Sequence, residues 1–199
     1  MGMSIPYESH GRTNQKLRTR SALVDAARTL ISRGVNPTVE DAAMHAAISR
    51  TTAYRYFPNQ RDLLIAAYPV IDRDSLLPPN ASDDVEKRLD VVIDEFVRMT
   101  LDNEAALRTA LRLSLEAGPT EGAPILRRGR AIEWFKEALR PLQGKLPKRE
   151  LDRLVYAIRS AVGIEALIWL CDVAGLEHKQ AVDVMKWSAR SLLRSALAE

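Results

Sequence analysis

Between residues 38 and 64, signals that begin and end helices recur so closely that only short helices can form. Thr38 and Asp41 resemble a capping box, with Asp in place of the usual Glu. A tight turn follows, Ser49 is suited to cap the next helix, and a Phe-Pro step ends that helix after about two turns. Asn59 is suited to cap a further helix. Because such short helices do not persist alone in water, we expect packing on a larger core to hold them.

The helix that begins after Ser49 carries side chains suited to DNA. Arginines can bond guanine edges in pairs of hydrogen bonds, threonines suit bases, and tyrosine hydroxyls suit phosphate. Residues at helix N-termini can add phosphate contacts, since the helix dipole favours an anion there. The alternative for each position is a solvated charge, a cap or a packing residue. The candidate DNA-binding residues are Thr38, Ser49, Arg50, Thr51, Thr52, Tyr54, Arg55, Tyr56, Gln60 and Arg61.

Positive charge is concentrated in the first third of the chain. Residues 1–62 contain nine Lys or Arg and five Asp or Glu, a net charge of +4, whereas the remainder has a net charge of −1. A DNA-binding element needs cations where phosphates lie. The basic run of Arg12, Lys16, Arg18 and Arg20 could approach the DNA backbone or minor groove, although ordinary surface variation can also produce so small an excess.

The rest of the chain also favours helix over strand. Its 9 Gly and 10 Pro fall largely into short clusters, and apolar residues recur at helical spacing between them. We predict an all-α protein: a three-helix helix-turn-helix DNA-binding domain followed by a larger helical bundle, about nine helices in total. Beyond the first helix, from about Thr13 to Gly34, and the short helices above, we expect helices at about 83–101, 103–117, 125–142, 148–174 and 177–198.

Composition also suggests how the chain is divided. Residues 1–12 are predicted to form a disordered arm, residues 13–68 the helix-turn-helix domain, and residues 69–199 a helical effector-binding and dimerisation domain. The clearest break in composition is Pro78-Pro79-Asn80, just after the predicted boundary.

Residues 17–64 resemble the DNA-binding domain of the TetR family of bacterial repressors. The matching residues are Ala26-Ala27, Leu30, Gly34, Thr38, Asp41, Ala43, Ser49, Thr52, Tyr54, Tyr56-Phe57, Asn59 and Leu63-Leu64. The resemblance implies a repressor that binds a palindromic operator in double-stranded DNA as a homodimer. It further implies release by a small-molecule effector, of unknown identity, that binds within the C-terminal helices.

Three positions depart from the family pattern. Ala47 stands where a turn Gly is common, and Ala42 stands where Ile or Val is common. Gln60 replaces the usual Lys at the start of the fourth helix and is followed by Arg61. A phosphate-binding cation has therefore either moved by one residue or been lost.

Two further sets of residues are candidates in the C-terminal domain. Large apolar side chains on its helices are the pocket candidates, although each could equally be core: Phe96, Met99, Leu111, Leu115, Trp134, Phe135 and Trp169. The segment 161–171 is apolar on all sides, so we infer that a second copy packs there, unless the last two helices are simply central to a monomer core. The interface candidates are Val162, Glu165, Ala166, Trp169, Met185, Ala189 and Leu192.

Other function classes are less well supported. The three histidines are scattered, and the sequence shows no metal-ligand cluster, nucleophile elbow or phosphate loop, so we expect neither an enzyme nor a metal or cofactor site. We also expect no membrane partner and a cytoplasmic location, at the bacterial nucleoid. The alternative function is a helical ligand-binding or interaction protein with the same fold that does not bind DNA. Repression and activation are not separable from sequence.

Overall fold

A computed structural model describes residues 7–69, 73–117 and 130–198, so residues 1–6 of the predicted arm lie outside the described part. The described residues contain no strand, and nine of their α-helices have seven or more residues, in agreement with the all-α prediction. The helices are α1 (Tyr7–Ser32), α2 (Val39–His45), α3 (Arg50–Tyr56), α4 (Gln60–Ala67), α5 (Val85–Asp102), α6 (Glu104–Ala117), α7 (Arg130–Ala138), α8 (Lys148–Ala161), α9 (Ile164–Ile168) and α10 (His178–Ala198).

The first compact unit contains α1 to α4 together with residues 105–117 of α6. Helix α1 begins at Tyr7, earlier than the predicted Thr13, and ends before Gly34, which adopts a φ of 78° as a helix-terminating glycine should. The core of this unit draws on all five helices, and its buried members include Leu23, Ala27, Val39, Ala53, Leu63 and Leu113.

Helix α6 differs from the sequence-based division, which placed all of residues 69–199 in the C-terminal domain. Leu113 is buried in the core of the first unit, and Ala105 and Ala106 pack against that core. Arg112 also bonds the side chain of Asn36, with 2.9 Å between nitrogen and oxygen. An amphipathic pattern predicts that one face of a helix is buried, but not which helices cover it.

The second unit contains α5 and α7 to α10. Helices α5 and α10 run antiparallel, and their adjoining edges form a series of ion pairs at one-turn spacing. The pairs are Asp94 with Lys186 at 2.8 Å, Asp90 with Arg190 at 2.7 Å and Glu86 with Arg194 at 3.7 Å. Each pair is partly exposed and contributes little alone, but the series favours one register between the two helices.

The predicted helix 148–174 is broken at Val162 and Gly163. Val162 is extended and Gly163 has a φ of 124°, which side chains rarely adopt. A Cβ on Gly163 would lie 2.8 Å from Arg159 Nη1 and 3.2 Å from Phe96, so a side chain there would have to displace both neighbours as well as adopt this strained conformation. After the break, α9 continues as a π-helical turn over Trp169–Val173.

The same stretch, Lys148–Val173, is long and apolar enough by composition alone to cross a membrane. In its most apolar window 44% of the residues are buried within the protein, and core helices of soluble proteins pass the same test. The stretch is therefore weak support for a membrane span.

Arg88 is a buried cation that joins two helices of the second unit. It is only 4% exposed, and its guanidinium donates to the carbonyl oxygens of Glu137 (2.8 Å), Ala138 (3.1 Å) and Ser82 (3.2 Å). Carbonyls at a helix C-terminus carry partial negative charge, so the end of α7 stabilises this cation without a carboxylate.

Arg88→Ala is expected to lower the free energy of unfolding by about 3 kcal/mol, because it leaves a cavity and strands buried carbonyls. The measurement is urea denaturation at a fixed protein concentration. Arg140→Ala, at an exposed arginine just after α7, is the matched control and should change stability by less than about 0.5 kcal/mol. Equal effects of the two substitutions would contradict this role of Arg88.

Candidate nucleic-acid interface

The turn between α2 and α3 is built around Ala47. Its φ of 53° is the only positive value at a non-glycine residue in the described ranges. The turn is closed by backbone hydrogen bonds from Ala47 to Met44 (3.2 Å) and from Ile48 to Ala43 (2.9 Å). Ile48 packs against the core of the first unit. The Ala at this position therefore takes the left-handed conformation in which the family commonly has Gly.

Thr38 caps α2 in a complete capping box with Asp41. The amide of Asp41 donates to Thr38 Oγ1 at 3.1 Å, and the amide and hydroxyl of Thr38 donate to Asp41 Oδ2 at 2.8 and 2.7 Å. These hydrogen bonds, above all the one from the Thr38 backbone, lower the pKa of Asp41 below its ordinary value. The orientation of α2 is thereby fixed at its first turn.

Ser49 caps α3 as predicted. Its hydroxyl oxygen accepts from the amide of Thr52 at 3.3 Å, and its hydroxyl donates to Thr52 Oγ1 at 2.8 Å. Both side chains are thus engaged with each other at the helix N-terminus, where Ser49 is exposed and Thr52 half-buried.

Helix α3 has an inner and an outer face. Ala53 is fully buried, and Phe57, which follows the helix, is almost fully buried. Tyr56 is half-buried and packs against the same core. The outer face presents the remaining candidates, which are all exposed: Arg50, Thr51, Tyr54 and Arg55. The structure thus divides the predicted residues of this helix into presented and packed groups.

Glu40, on α2, was missed by the sequence reasoning. Its Oε1 atom accepts from Arg50 Nη2 at 2.7 Å and from the Tyr54 hydroxyl at 3.1 Å. The Arg50 guanidinium also lies 5.7 Å from the centre of the Tyr54 ring. The only signal in the sequence was an acidic residue in a basic region, on the helix that precedes the turn before Arg50.

Gln60 and Arg61 are engaged within the first unit. Gln60 Nε2 donates to the carbonyl of Pro37 at 3.0 Å and so ties α4 to the loop before α2. Arg61 Nη1 donates to the carbonyl of Leu113 at 3.4 Å, on α6. Both side chains are thus held by contacts within the unit, and the Arg61 guanidinium keeps further N–H donors beyond the one that bonds Leu113.

The basic residues on α1 differ in whether they contact the rest of the first unit. The Arg20 guanidinium lies 5.1 Å from the centre of the Phe57 ring, a cation–π distance, and so packs at the C-terminal end of α3. Lys16 and Arg18 are exposed, and the side chain of Arg12 lies outside the described residues.

Residues 23–67 match the family model of bacterial regulatory proteins of the tetR family. The matched segment begins within α1 and ends with α4, and thus contains the entire helix-turn-helix. This segment is a helix-turn-helix DNA-binding domain of the TetR type, which supports a DNA-binding transcriptional regulator. No curated protein matches the chain significantly.

The pocket candidates occupy different environments. Phe96, Met99, Trp134 and Phe135 are buried in the second unit, where the Phe96 ring meets Phe135 and Trp134 edge-on at centroid distances of 5.5 and 6.3 Å. Leu111 is half-buried, but Leu115 is 74% exposed and Trp169 59% exposed. The last two therefore do not line an enclosed pocket within their own units.

A groove of about 410 Å³ lies elsewhere in the second unit, between the start of α8 and the end of α10. Its lining includes Leu146, Glu150, Arg153 and Leu192. None of the predicted pocket residues is among those lining it. Within the described ranges, no three His, Cys, Asp or Glu side chains lie close enough together to hold a metal ion.

Three of the interface candidates require correction. Val162, Met185 and Ala189 are almost completely buried within the second unit of a single chain. Their apolar character reflects this core, so they do not offer a surface to a partner. Glu165, Ala166 and Leu192 are half-buried, and Trp169 is exposed.

Ala47→Gly is expected to raise the free energy of unfolding by up to about 1 kcal/mol, because it relieves the left-handed strain at this position. Ala22→Gly is the matched control: Ala22 is also exposed but lies within helix α1, so the substitution should cost about 1 kcal/mol. Thermal and urea unfolding measure both values. A loss of stability in Ala47→Gly equal to that in the control would contradict strain at Ala47.

Proposed function

We propose that this regulator is a repressor that binds a palindromic operator as a homodimer and is released by a small-molecule effector. The observation that carries the DNA-binding part is the division of α3: Ala53 anchors the helix in a core, while Arg50, Thr51, Tyr54 and Arg55 face outward. A helix held in this way can enter the major groove without losing its shape. The regulator would act in the cytoplasm, at the nucleoid.

Contacts to DNA divide into base and phosphate contacts. Arg50 and Arg55 are proposed to bond guanine, with Thr51 contacting a base or phosphate. The side chains of Thr38, Ser49 and Thr52 are engaged in hydrogen bonds at the starts of α2 and α3. We expect the exposed N-terminal ends of these helices, which the hydrogen bonds stabilise, to contact phosphate. Gln60, Arg61 and Tyr56 make intramolecular contacts, which supports only secondary roles for them.

Arg50→Ala is expected to weaken binding to the preferred operator by about 1 to 3 kcal/mol and to relax preference at one base pair. Selection of bound genomic fragments would first give the operator, and titration against single-base variants would then give the preference. Arg33→Ala removes another exposed arginine, directly after the end of α1, and serves as the charge control. Uniform weakening on every sequence by Arg50→Ala would instead place Arg50 on phosphate.

Dimerisation is supported by exposed apolar side chains at the end of the second unit. Trp169 and Val173 lie one turn apart on the π-helical segment, and Val184 and Trp187 lie on one face of α10. Trp187 is 69% exposed, which is unusual for so large an apolar side chain. We propose that these residues, with Glu165, Ala166 and Leu192, form the interface between two copies.

Trp187→Glu is expected to raise the dimer dissociation constant by about tenfold or more, because it places a charge in a buried apolar contact. Analytical ultracentrifugation over a range of concentrations measures the constant. Val91→Glu, at a partly exposed valine on α5, introduces the same charge into the same unit and should leave association unchanged. An unaltered dimer in Trp187→Glu would exclude this face.

The effector site is proposed to lie in the second unit, near the aromatic cluster of Phe96, Trp134 and Phe135. Arg159 lies beside this cluster, 5.2 Å from the centre of the Phe96 ring, and bonds the carbonyl of Val162 at the helix break. A ligand that entered between these rings would displace side chains at the break. The alternative function, ligand binding without DNA binding, would be supported if the wild-type protein selected no DNA yet was thermally stabilised by a metabolite.

A further inference from the structure

Glu40 places a carboxylate on the face that is proposed to meet DNA. It is the second residue of α2, next to the N-terminal end of α3, and its side chain is 45% exposed. A carboxylate at this place repels phosphate and by itself weakens binding to any DNA sequence. Its presence therefore calls for a role other than attraction to DNA.

The contacts of Glu40 converge on one arginine. The same oxygen, Oε1, accepts from Arg50 Nη2 and from the Tyr54 hydroxyl, at 2.7 and 3.1 Å. Tyr54 is one turn beyond Arg50 on α3 and also stacks against its guanidinium. Arg50 is 71% exposed and would otherwise sample many rotamers, so these two contacts restrict where its guanidinium lies.

Arg50 has enough N–H donors to bond a second partner while it stays paired with Glu40. A guanidinium carries five N–H donors in a fixed plane, and the contact with Glu40 is made through Nη2. The remaining donors can bond guanine O6 and N7, which lie in one plane on the base edge. An arginine whose plane is already set discriminates between bases better than one that can turn toward a nearby phosphate.

We propose that Glu40 is a positioning residue that sets the base preference of Arg50. It holds the guanidinium away from phosphate and directs it at guanine, and Tyr54 supports the carboxylate instead of donating to phosphate. The inference rests on the proposed function, since it requires Arg50 to contact a base. It predicts that removing the acid weakens discrimination while strengthening binding to unrelated DNA.

The test compares wild type with Glu40→Ala, Glu40→Gln and Arg50→Ala on the selected operator, on its variants at the Arg50-dependent base pair, and on unrelated duplex DNA. Glu40→Ala is expected to reduce discrimination at that base pair by about fivefold or more, the lower end for a lost bidentate contact, and to bind unrelated DNA more tightly. Glu40→Gln keeps an acceptor oxygen and should retain part of the discrimination. Because Glu40 acts through Arg50 in this proposal, removing Glu40 from the Arg50→Ala variant should cause no further loss of discrimination.

Asp25→Ala is the matched control for charge. Asp25 is an exposed acid of the same unit, on α1, and pairs with Arg28 on its own helix. Its removal should strengthen binding slightly on all sequences without altering discrimination. Circular dichroism and thermal unfolding of each variant show whether the fold is retained, which the exposure of Glu40 leads us to expect.

The outcomes separate the two proposals. If wild type selects an operator and Glu40→Ala keeps full discrimination while binding all DNA more tightly, as Asp25→Ala does, Glu40 is only a repelling charge and this inference is wrong. If wild type selects no sequence at all, the proposed function is wrong and the inference is wrong with it. Loss of discrimination in Glu40→Ala that is absent from the Asp25→Ala control supports the positioning role.

Discussion

Burial of Ala53 and Phe57 holds α3 in a conformation that its seven residues could not keep in water, where helices under about 12 residues are marginal. The core beneath it includes Leu23 of α1 and Leu63 of α4, so the outward side chains of α3 have fixed positions only while that core is intact. Recognition of DNA by this chain is therefore a property of the whole first unit. A cavity in that core would destabilise the unit that holds these side chains in place, even though it lies far from any of them.

Helix α6 extends this dependence to a distant part of the chain. It begins at Glu104, whose carboxylate lies 2.8 Å from His178 in the second unit, and it places Leu113 in the core of the first. Within the first unit, Arg61 of α4 bonds the Leu113 carbonyl, so the surroundings of α4 depend on a helix that is distant in sequence.

Local features of the fold could be predicted from sequence, whereas features that depend on partners could not. The caps at Thr38, Ser49 and Asn59 and the end of α1 at Gly34 follow from chemistry within a few residues. The apolar pattern predicted that Met185 and Ala189 are covered, but not that their own chain covers them. The candidate site shows the same limit: the outward position of Arg50 was predictable, but its pairing with Glu40 depends on how α2 crosses α3.

The placement of Glu40 suggests how this interface balances affinity against discrimination. Specificity is a difference between two affinities, and attraction to phosphate raises both of them. Residues 1–62 have a net charge of only +4, and Glu40, on α2, lowers the charge beside α3, the helix proposed to meet the bases. An acid there sacrifices some attraction to all DNA and constrains the one cation beside it. Because an exposed ion pair adds little to stability, this effect on binding is the stronger physical reason for the acid to stand at that position.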